Sequence, residues 1–489
     1  MPVRQRAVSS ELAAIDRQID ALQARRAAAR RLAILEEEES AQIGHSPISN
    51  LPPEIYGLIF SLCAVDECDL DCASVDRRLF GPSVLCRVSP LWRAHAINNP
   101  SLWTTIHVRP LSADILGARL WLERSENLPL RVNICSADEG WLSHRVMAPL
   151  LQQFLPYCHR IQSFNTALAL ETLPTLFDKA RHLRMPNLEE LQLLVDDLLD
   201  TDFILGELFA PKLHRLHVRD MTLIHKCIGS CFANVTTLTV EYSPTWKSPH
   251  IFPHLLASCV QVRACHLVFP FTVRFNELAP IELPELRTLT LEWHFLFHAA
   301  DIFSALRAPK LRALHLVHRS MQLSLPQHIL GSLCALALSA PHLHKLTVEG
   351  CHVPRELEVH ALLTACRALE RLEIVRCTFG ERFVAALTPP PIRRERDTAR
   401  GWICPRLTHV AFEALADSDV RPIVCFARAR TDPAAGALAN GARYLKELAL
   451  HTEVYALTRH ARLLMLSGLL EVQRAIDIVG PFGALLDAA

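Results

Sequence analysis

Net charge is the first thing this 489-residue chain lacks: 51 basic side chains are balanced by 51 acidic ones. That balance disfavours a nucleic-acid-coating surface or an anionic-membrane binder, both of which need a one-sided basic excess. No run approaches the ~18 apolar residues of a membrane span. The start, Met1-Pro2-Val3-Arg4-Gln5-Arg6, has no apolar stretch of secretory length. The expectation is an intracellular protein, cytoplasmic or nuclear, with no membrane partner. Catalytic signatures are missing too. Gly-x-x-x-x-Gly-Lys, Gly-x-Gly-x-x-Gly, Gly-x-Ser-x-Gly and His-Glu-x-x-His do not occur. An enzyme is not expected.

Paired metal-binding cysteines are also missing. The 16 cysteines are scattered, and Cys63, Cys68, Cys72 and Cys86 fit no zinc spacing. Asp66, Asp69 and Asp71 resemble a fragment of a calcium loop without its glycine or terminal glutamate. Cys158, Cys259, Cys265, Cys366 and Cys404 read instead as reduced, small, buried residues. No metal or cofactor is expected.

What is abundant is one short phrase: an apolar residue, two variable positions, an apolar residue, one variable position, and another apolar residue. It runs from Leu188 to Leu191 and Leu193, and from Leu213 to Leu216 and Val218. It returns with first anchors Val235, Val262, Leu286, Leu311, Leu343, Leu369, Leu407 and Leu445, and in degenerate form from Ile161. Pro or Cys usually stands one or two residues before it. From Ile161 to Leu343 the interval is about 26 residues, the period of leucine-rich repeats. Such a unit cannot bury its apolar edge alone, so repeats stack into a solenoid with an extended binding face. The phrases supply strands, and residues between them often have helical spacing, as at Ile302, Phe303, Ala305 and Leu306 or Val359, Leu362, Leu363 and Cys366. The expected fold is α/β: a helical arm, a three-helix unit, then a curved αβ solenoid.

By strand alternation, positions between and just after the anchors point away from the core. Candidate target-binding residues on that face are Arg215, His217 and Arg219; Thr237, Thr239 and Glu241; Thr288, Thr290 and Glu292; and Lys345, Thr347 and Glu349. The alternating basic and acidic character suits a protein segment of mixed charge better than a nucleic-acid backbone. Several histidines (His214, His217, His315, His344, His409) merely occupy variable positions of the phrase.

Five segments organise the chain. Residues 1–44 hold a charged, Ala-rich helical arm in which Leu12, Ile15, Ile19 and Leu22 keep a coiled-coil rhythm for about two heptads. Residues 48–103 hold three short helices. Asn50 can cap the first, prolines are tolerated in its first turn, and Glu54 suits its positive end. Ile55, Leu58, Ile59 and Leu62 share one face by helical spacing. Residues 64–83 form an acidic loop insertion, and Ser89-Pro90 separates the second and third helices. Residues 104–180 read as atypical first repeats, with strands at Thr104–Val108 and Leu130–Ile134 and a helix at Ala148–Tyr157. Residues 181–452 are the solenoid, with loop insertions around Pro389-Pro390-Pro391 and from Arg430 to Gly441. Residues 453–489, with Leu463, Leu466, Leu469 and Leu470, form a helical cap.

Leu51-Pro52-Pro53-Glu54-Ile55, Ile59-Phe60, Leu85-Cys86-Arg87-Val88-Ser89 with Leu91-Trp92-Arg93, Ala96, and Pro100-Ser101-Leu102-Trp103 together resemble an F-box. The stretch Leu120–Ser125 through Leu128-Pro129-Leu130 is similar to F-box-like proteins abundant in mushroom-forming fungi, which also carry a helical arm and irregular leucine-rich repeats. The loop 64–83 departs from the usual short link between the first two helices. The resemblance implies docking onto the adaptor subunit of a cullin-RING ubiquitin ligase, through Leu51, Pro52, Pro53, Glu54, Ile55, Ile59, Leu85, Val88 and Trp92. It implies a substrate receptor whose repeats hold a protein target. The alternative is a repeat scaffold whose three helices only cap the solenoid. The exposure of Leu51, Ile55, Ile59 and Val88 separates the two.

Overall fold

A computed structural model describes residues 51–487 except 64–81, 109–111, 135–143, 170–174, 176–182, 197–206, 220–228, 242–255, 270–279, 295–298, 320–326, 351, 354–355, 380, 389–402, 414–416, 432–442, 452–456 and 474. The expected arm, Asn50, nearly all of the acidic loop and the Pro389-Pro390-Pro391 insertion lie outside the described residues. The chain divides into two units, residues 1–106 with 116–128 and residues 107–115 with 129–489.

The first unit contains α1 (Pro53–Cys63), α2 (Pro82–Val88), α3 (Pro90–Ile97) and a 3-10 turn, Pro100–Trp103. Ser89 caps α3 by accepting the Trp92 amide at 3.1 Å, and Pro90 occupies the first helical position, where no amide donor is needed. Arg93 Nε then donates to the Cys86 carbonyl at 2.9 Å, tying α3 to α2. The core is Tyr56, Phe60, Leu85, Ala96, Leu102 and Trp103, with Leu51, Ile59, Cys86, Trp92 and Trp121 packed against it. Phe60 meets Trp92 at 5.0 Å, His95 stacks on Tyr56 at 4.5 Å, and Trp103 Nε1 donates to the Ala96 carbonyl at 2.8 Å. Arg124 lies 4.4 Å over the Trp103 ring. The core side of α1 is taken by its aromatic residues. The ring pair Tyr56 and Phe60, four residues apart, buries more apolar area than the aliphatic stripe and takes the core side. Ile55, Leu58 and Leu62 are turned outward.

The second unit is built on one long sheet. Its strands are β1 (Thr105–Val108, which crosses the boundary between the units), β2 (Leu130–Ile134), β3 (Ile161–Ala169), β4 (Glu190–Asp196), β5 (Arg215–Arg219), β6 (Thr237–Glu241), β7 (Ala264–Phe269), β8 (Thr288–Trp293), β9 (Ala313–His318), β10 (Lys345–Glu349), β11 (Arg371–Val375), β12 (His409–Phe412), β13 (Glu447–Leu450) and β14 (Asp477–Val479). They lie in chain order, so each strand neighbours its successor. From β2 onward the pairs are parallel.

The turn before each strand explains the recurrent proline. The first anchor's amide bonds the carbonyl three residues earlier, as in Leu188 to Met185, Leu213 to Ala210, Leu311 to Ala308 and Leu343 to Ala340. Pro186, Pro211, Pro309 and Pro341 sit second in these four-residue turns, where a fixed φ is already the one required. Elsewhere the turn begins with a buried cysteine: Cys259, Cys366 or Cys404. Second anchors then stack in one register column, Leu191, Leu216, Leu238, Cys265, Leu289, Leu314, Leu346 and Leu372. All are buried, at about 1.5–3 kcal/mol for a leucine-sized side chain. In β3 the third anchor is Thr166, buried with an unpaired hydroxyl, which is why that phrase reads as degenerate.

The return segments change character along the sheet. Helices Ser112–Arg124 and His144–Phe154 occupy the first two intervals, Gly229–Asn234, between β5 and β6, is a 3-10 turn, and from residue 299 onward helices fill the interval again. These are α4 (Ala299–Ala305), α5 (Gln327–Ser339), α6 (Glu356–Ala365), α7 (Glu381–Leu387), α8 (Asp417–Thr431), α9 (Arg459–Leu470) and α10 (Pro481–Asp487), each packed on the next. Two expectations are corrected. Arg430 belongs to α8 and is fully buried, not part of a loop insertion. The segment after residue 453 holds β14 between two helices, so the ladder continues into the expected cap.

Candidate functional site

Two surfaces, one on each unit, carry the candidate residues. On the first, Ile55 is 40% exposed, Leu58 58% and Leu62 67%, at the i, i+3, i+7 spacing that aligns them along one side of α1. Val88 on α2 and Leu91 on α3 are exposed as well. Pro52 and Glu54 are exposed at the start of α1; the Pro53 side chain lies outside the described residues. Leu51 and Ile59 are half-buried against the core, and so is Trp92. Leu85 is corrected outright. At 6% exposure it is a core residue, because α2 is short and this side chain is what fastens it to Tyr56 and Phe60. Leu58 was legible as an α1 residue but absent from the docking set. Nothing in its neighbours says that Tyr56 and Phe60, rather than the leucines, win the core.

The second surface is the face of the sheet opposite the anchors. Its charged residues are engaged with one another. Arg219 Nε donates to Glu241 Oε2 at 2.7 Å, and His217 Nε2 lies 3.3 Å from Glu241 Oε1. Burial by itself would raise the Glu241 carboxyl, but these two partners hold it down to about 2. Glu292 accepts both Arg319 Nε at 3.0 Å and Nη2 at 3.2 Å, with His266 at 3.7 Å and His294 at 3.6 Å. Arg319 also reaches Glu349 at 3.7 Å, and Glu349 pairs with Arg376. Lys345 bonds Glu373 at 2.8 Å, and Thr347, which is buried, donates to the same carboxylate at 2.9 Å. Burial lowers His266 and His315 below the ordinary histidine range, so both are neutral at pH 7.

Glu241, Glu292, Lys345 and Glu349 therefore spend their charge on the sheet itself. Arg215 is more open, 3.9 Å from Glu190, and Thr237, Thr239, Thr288 and Thr290 are half-exposed. The partners missing from the sequence reading are Glu190, His266, His294, Arg319, Glu373 and Arg376. The signal for them is register: Glu190 stands opposite Arg215 and Glu373 opposite Thr347, His266 lies diagonally from Glu292, and His294 follows two residues after Glu292. The surface offers neutral imidazoles and hydroxyls among compensated charges. Among the described residues no group of three His, Cys, Asp or Glu side chains comes together to hold a metal ion.

A long parallel sheet with one strand per repeat and helices in the return segments is the architecture of a leucine-rich-repeat solenoid. No protein family matches the chain, and no curated protein matches it. The chain is similar to a solved structure of the Rad7 and Elc1 complex in yeast at 14% identity, over 88% of this chain and 95% of that one, with a TM-score of 0.33. It is also similar to a TLR13–ssRNA13 complex at 13% identity, over 76% of this chain and half of that one, with a TM-score of 0.25.

Proposed function

We propose that this chain is a substrate-receptor subunit of an SCF-type cullin-RING ubiquitin ligase. The α1–α3 unit holds the adaptor, and through it a cullin, while the sheet face holds a protein target. The reading fits an intracellular protein of cytoplasm or nucleus that performs no bond chemistry of its own. Its mechanism is proximity: the receptor raises the target's effective concentration near the activated ubiquitin.

The observation that carries the reading is the outward stripe Ile55, Leu58 and Leu62, with Val88 and Leu91 exposed on the neighbouring helices. A unit this small gains little by exposing large aliphatic side chains unless a partner covers them. An apolar centre with few charges is the anatomy of a protein–protein contact. The sequence resemblance to an F-box falls on the same helices.

The test is co-purification of the ligase adaptor with the full chain carrying Ile55→Asp and Leu58→Asp. Both residues are exposed, so the fold should survive, while a charge buried in an apolar contact costs several kcal/mol of affinity. Adaptor recovery should fall at least tenfold, with the melting temperature unchanged. Undiminished recovery would remove the ligase assignment and leave the scaffold reading.

A further inference from the structure

The sheet face has a period of two strands, not one. On β6, β7, β8 and β9 the outward residues read Thr237-Thr239-Glu241, Ala264-His266-Val268, Thr288-Thr290-Glu292 and Ala313-His315-Val317. Each residue is paired in register with the one at the same place in the next group. The middle column extends on both sides, to His217 on β5 and Thr347 on β10. Six consecutive strands thus alternate imidazole and hydroxyl: His217, Thr239, His266, Thr290, His315, Thr347.

The alternation repeats a geometry as well as a composition. His217 sits diagonally from Glu241, and His266 from Glu292, by the same step across the ladder. In both pairs it is Nε2 that faces the carboxylate, hydrogen-bonded at 3.3 Å in His217 and at 3.7 Å, beyond hydrogen-bond length, in His266. A carboxylate in that position favours the Nε2–H tautomer and leaves Nδ1 as a hydrogen-bond acceptor. The register sets His315 diagonally from Glu349 as well, while the charged groups acting on its ring are Lys345 and Glu373. Beside the column, Thr237, Ala264, Thr288 and Ala313 are small, so another chain can approach closely. The arginines already neutralise the glutamates, so net charge does not select the partner.

Neighbouring strands are ~4.8 Å apart, which sets the histidines ~9.6 Å apart and His217 to His315 at ~19.2 Å. Three residues of a polyproline-II segment advance ~9.3 Å and six advance ~18.6 Å, and every third side chain lies on the same edge. An α-helix meets a surface every seven residues, ~10.5 Å, and has drifted ~1.8 Å out of step by the third site. We infer that the face from β5 to β10 takes an extended, polyproline-II-like segment of the protein target, laid across the strands, with a small neutral donor (Ser, Thr or Asn) at every third residue. His217, His266 and His315 receive those donors. The inference rests on the proposed reading that this face holds the target.

The experiment pans the full chain against a random 16-residue display library and measures the selected peptides by calorimetry. Enriched sequences should share Ser, Thr or Asn at positions i, i+3 and i+6. On the unaltered protein, respacing those donors from three residues to four should weaken binding at least tenfold. His217→Phe and His266→Phe should each weaken binding about fivefold, the worth of one hydrogen bond near 1 kcal/mol, and together about 25-fold. His409→Phe, on β12 outside the alternation, should change nothing. Failure to enrich a three-residue period overturns the inference, as does tolerance of the four-residue spacing or an equal loss with His409→Phe. Adaptor recovery, read in parallel, reports on the ligase assignment separately.

Discussion

Arg430 stands in the interior and holds three carbonyl groups. Its Nε and Nη2 donate to the Leu387 carbonyl at 3.1 and 2.9 Å, Nη1 to Cys404 at 3.1 Å, and Nη2 to Ile403 at 2.5 Å. Leu387 is the last residue of α7, so a cation there meets the negative end of a helix as well as its orphan carbonyl. Burial lowers the guanidinium to about 10, which still leaves it charged at neutral pH. Arg430→Met keeps the apolar stem and removes every donor. Three buried carbonyls lose a charge-assisted partner, at about 1–3 kcal/mol each, partly offset because no charge is then desolvated. The net expectation is a loss of about 3–5 kcal/mol, read as a lower urea midpoint, with faster amide exchange at residues 381–387 and 403–412. Arg430→Lys should fall between, since one ammonium cannot serve three carbonyls in divergent directions. A change below about 1 kcal/mol for Arg430→Met, or exchange that rises in β2–β4 instead, would refute the role assigned to this side chain.

Leu314→Asp puts a charge into the anchor column between Leu289 and Leu346, and should unfold the repeats around β9; retention of the parent melting temperature would reject the register. Glu241 has its folded pKa depressed to about 2, so its stabilisation is fully present above the ordinary carboxylate range and is lost as pH falls through 2. That contribution is at most about 3 kcal/mol, and Arg219→Gln should reduce the stability lost between pH 5 and 2, measured by denaturant midpoints. Arg219→Glu sets two carboxylates side by side and should cost about 1–2 kcal/mol, whereas Arg215→Glu, on a more exposed side chain, should cost less than 1 kcal/mol.

The repeats were legible because their signal is redundant. A wrong register for Leu289 would also misplace Leu291 and both neighbours' anchors, and the prolines of the turns mark each start. The face was legible as a set of positions and not as a network. Alternation says that Glu292 points outward, but only pairing with β7 and β9 brings His266 and Arg319 to it. Helix α1 was legible as a face but not in its direction. The spacing of Ile55, Leu58, Ile59 and Leu62 gives a shared face without saying whether it is buried, and nothing local reveals that Trp92 and His95 on α3 bring Phe60 and Tyr56 to the core. Arg430 falls in the long interval after Leu407, which reads as a loop insertion, and its three acceptors come from residues 26 to 43 positions away.

The last strand among the described residues is β14, three residues long, with Asp477 and Val479 exposed. Gly480 follows at φ +98, where an added Cβ would lie 2.3 Å from the Leu450 carbonyl, and Pro481 opens the last helix. A short strand with an exposed acid and an immediate proline is a poor template for another chain. The strand beneath it is a good one, since Leu448, Ala449 and Leu450 are all buried. A chain cut before residue 477 would present that apolar edge to solvent, with unpaired amides awaiting a strand from elsewhere. Strand β14 thus shields the β13 edge from intermolecular sheet growth, and deleting residues 477–479 should increase aggregation, read by light scattering.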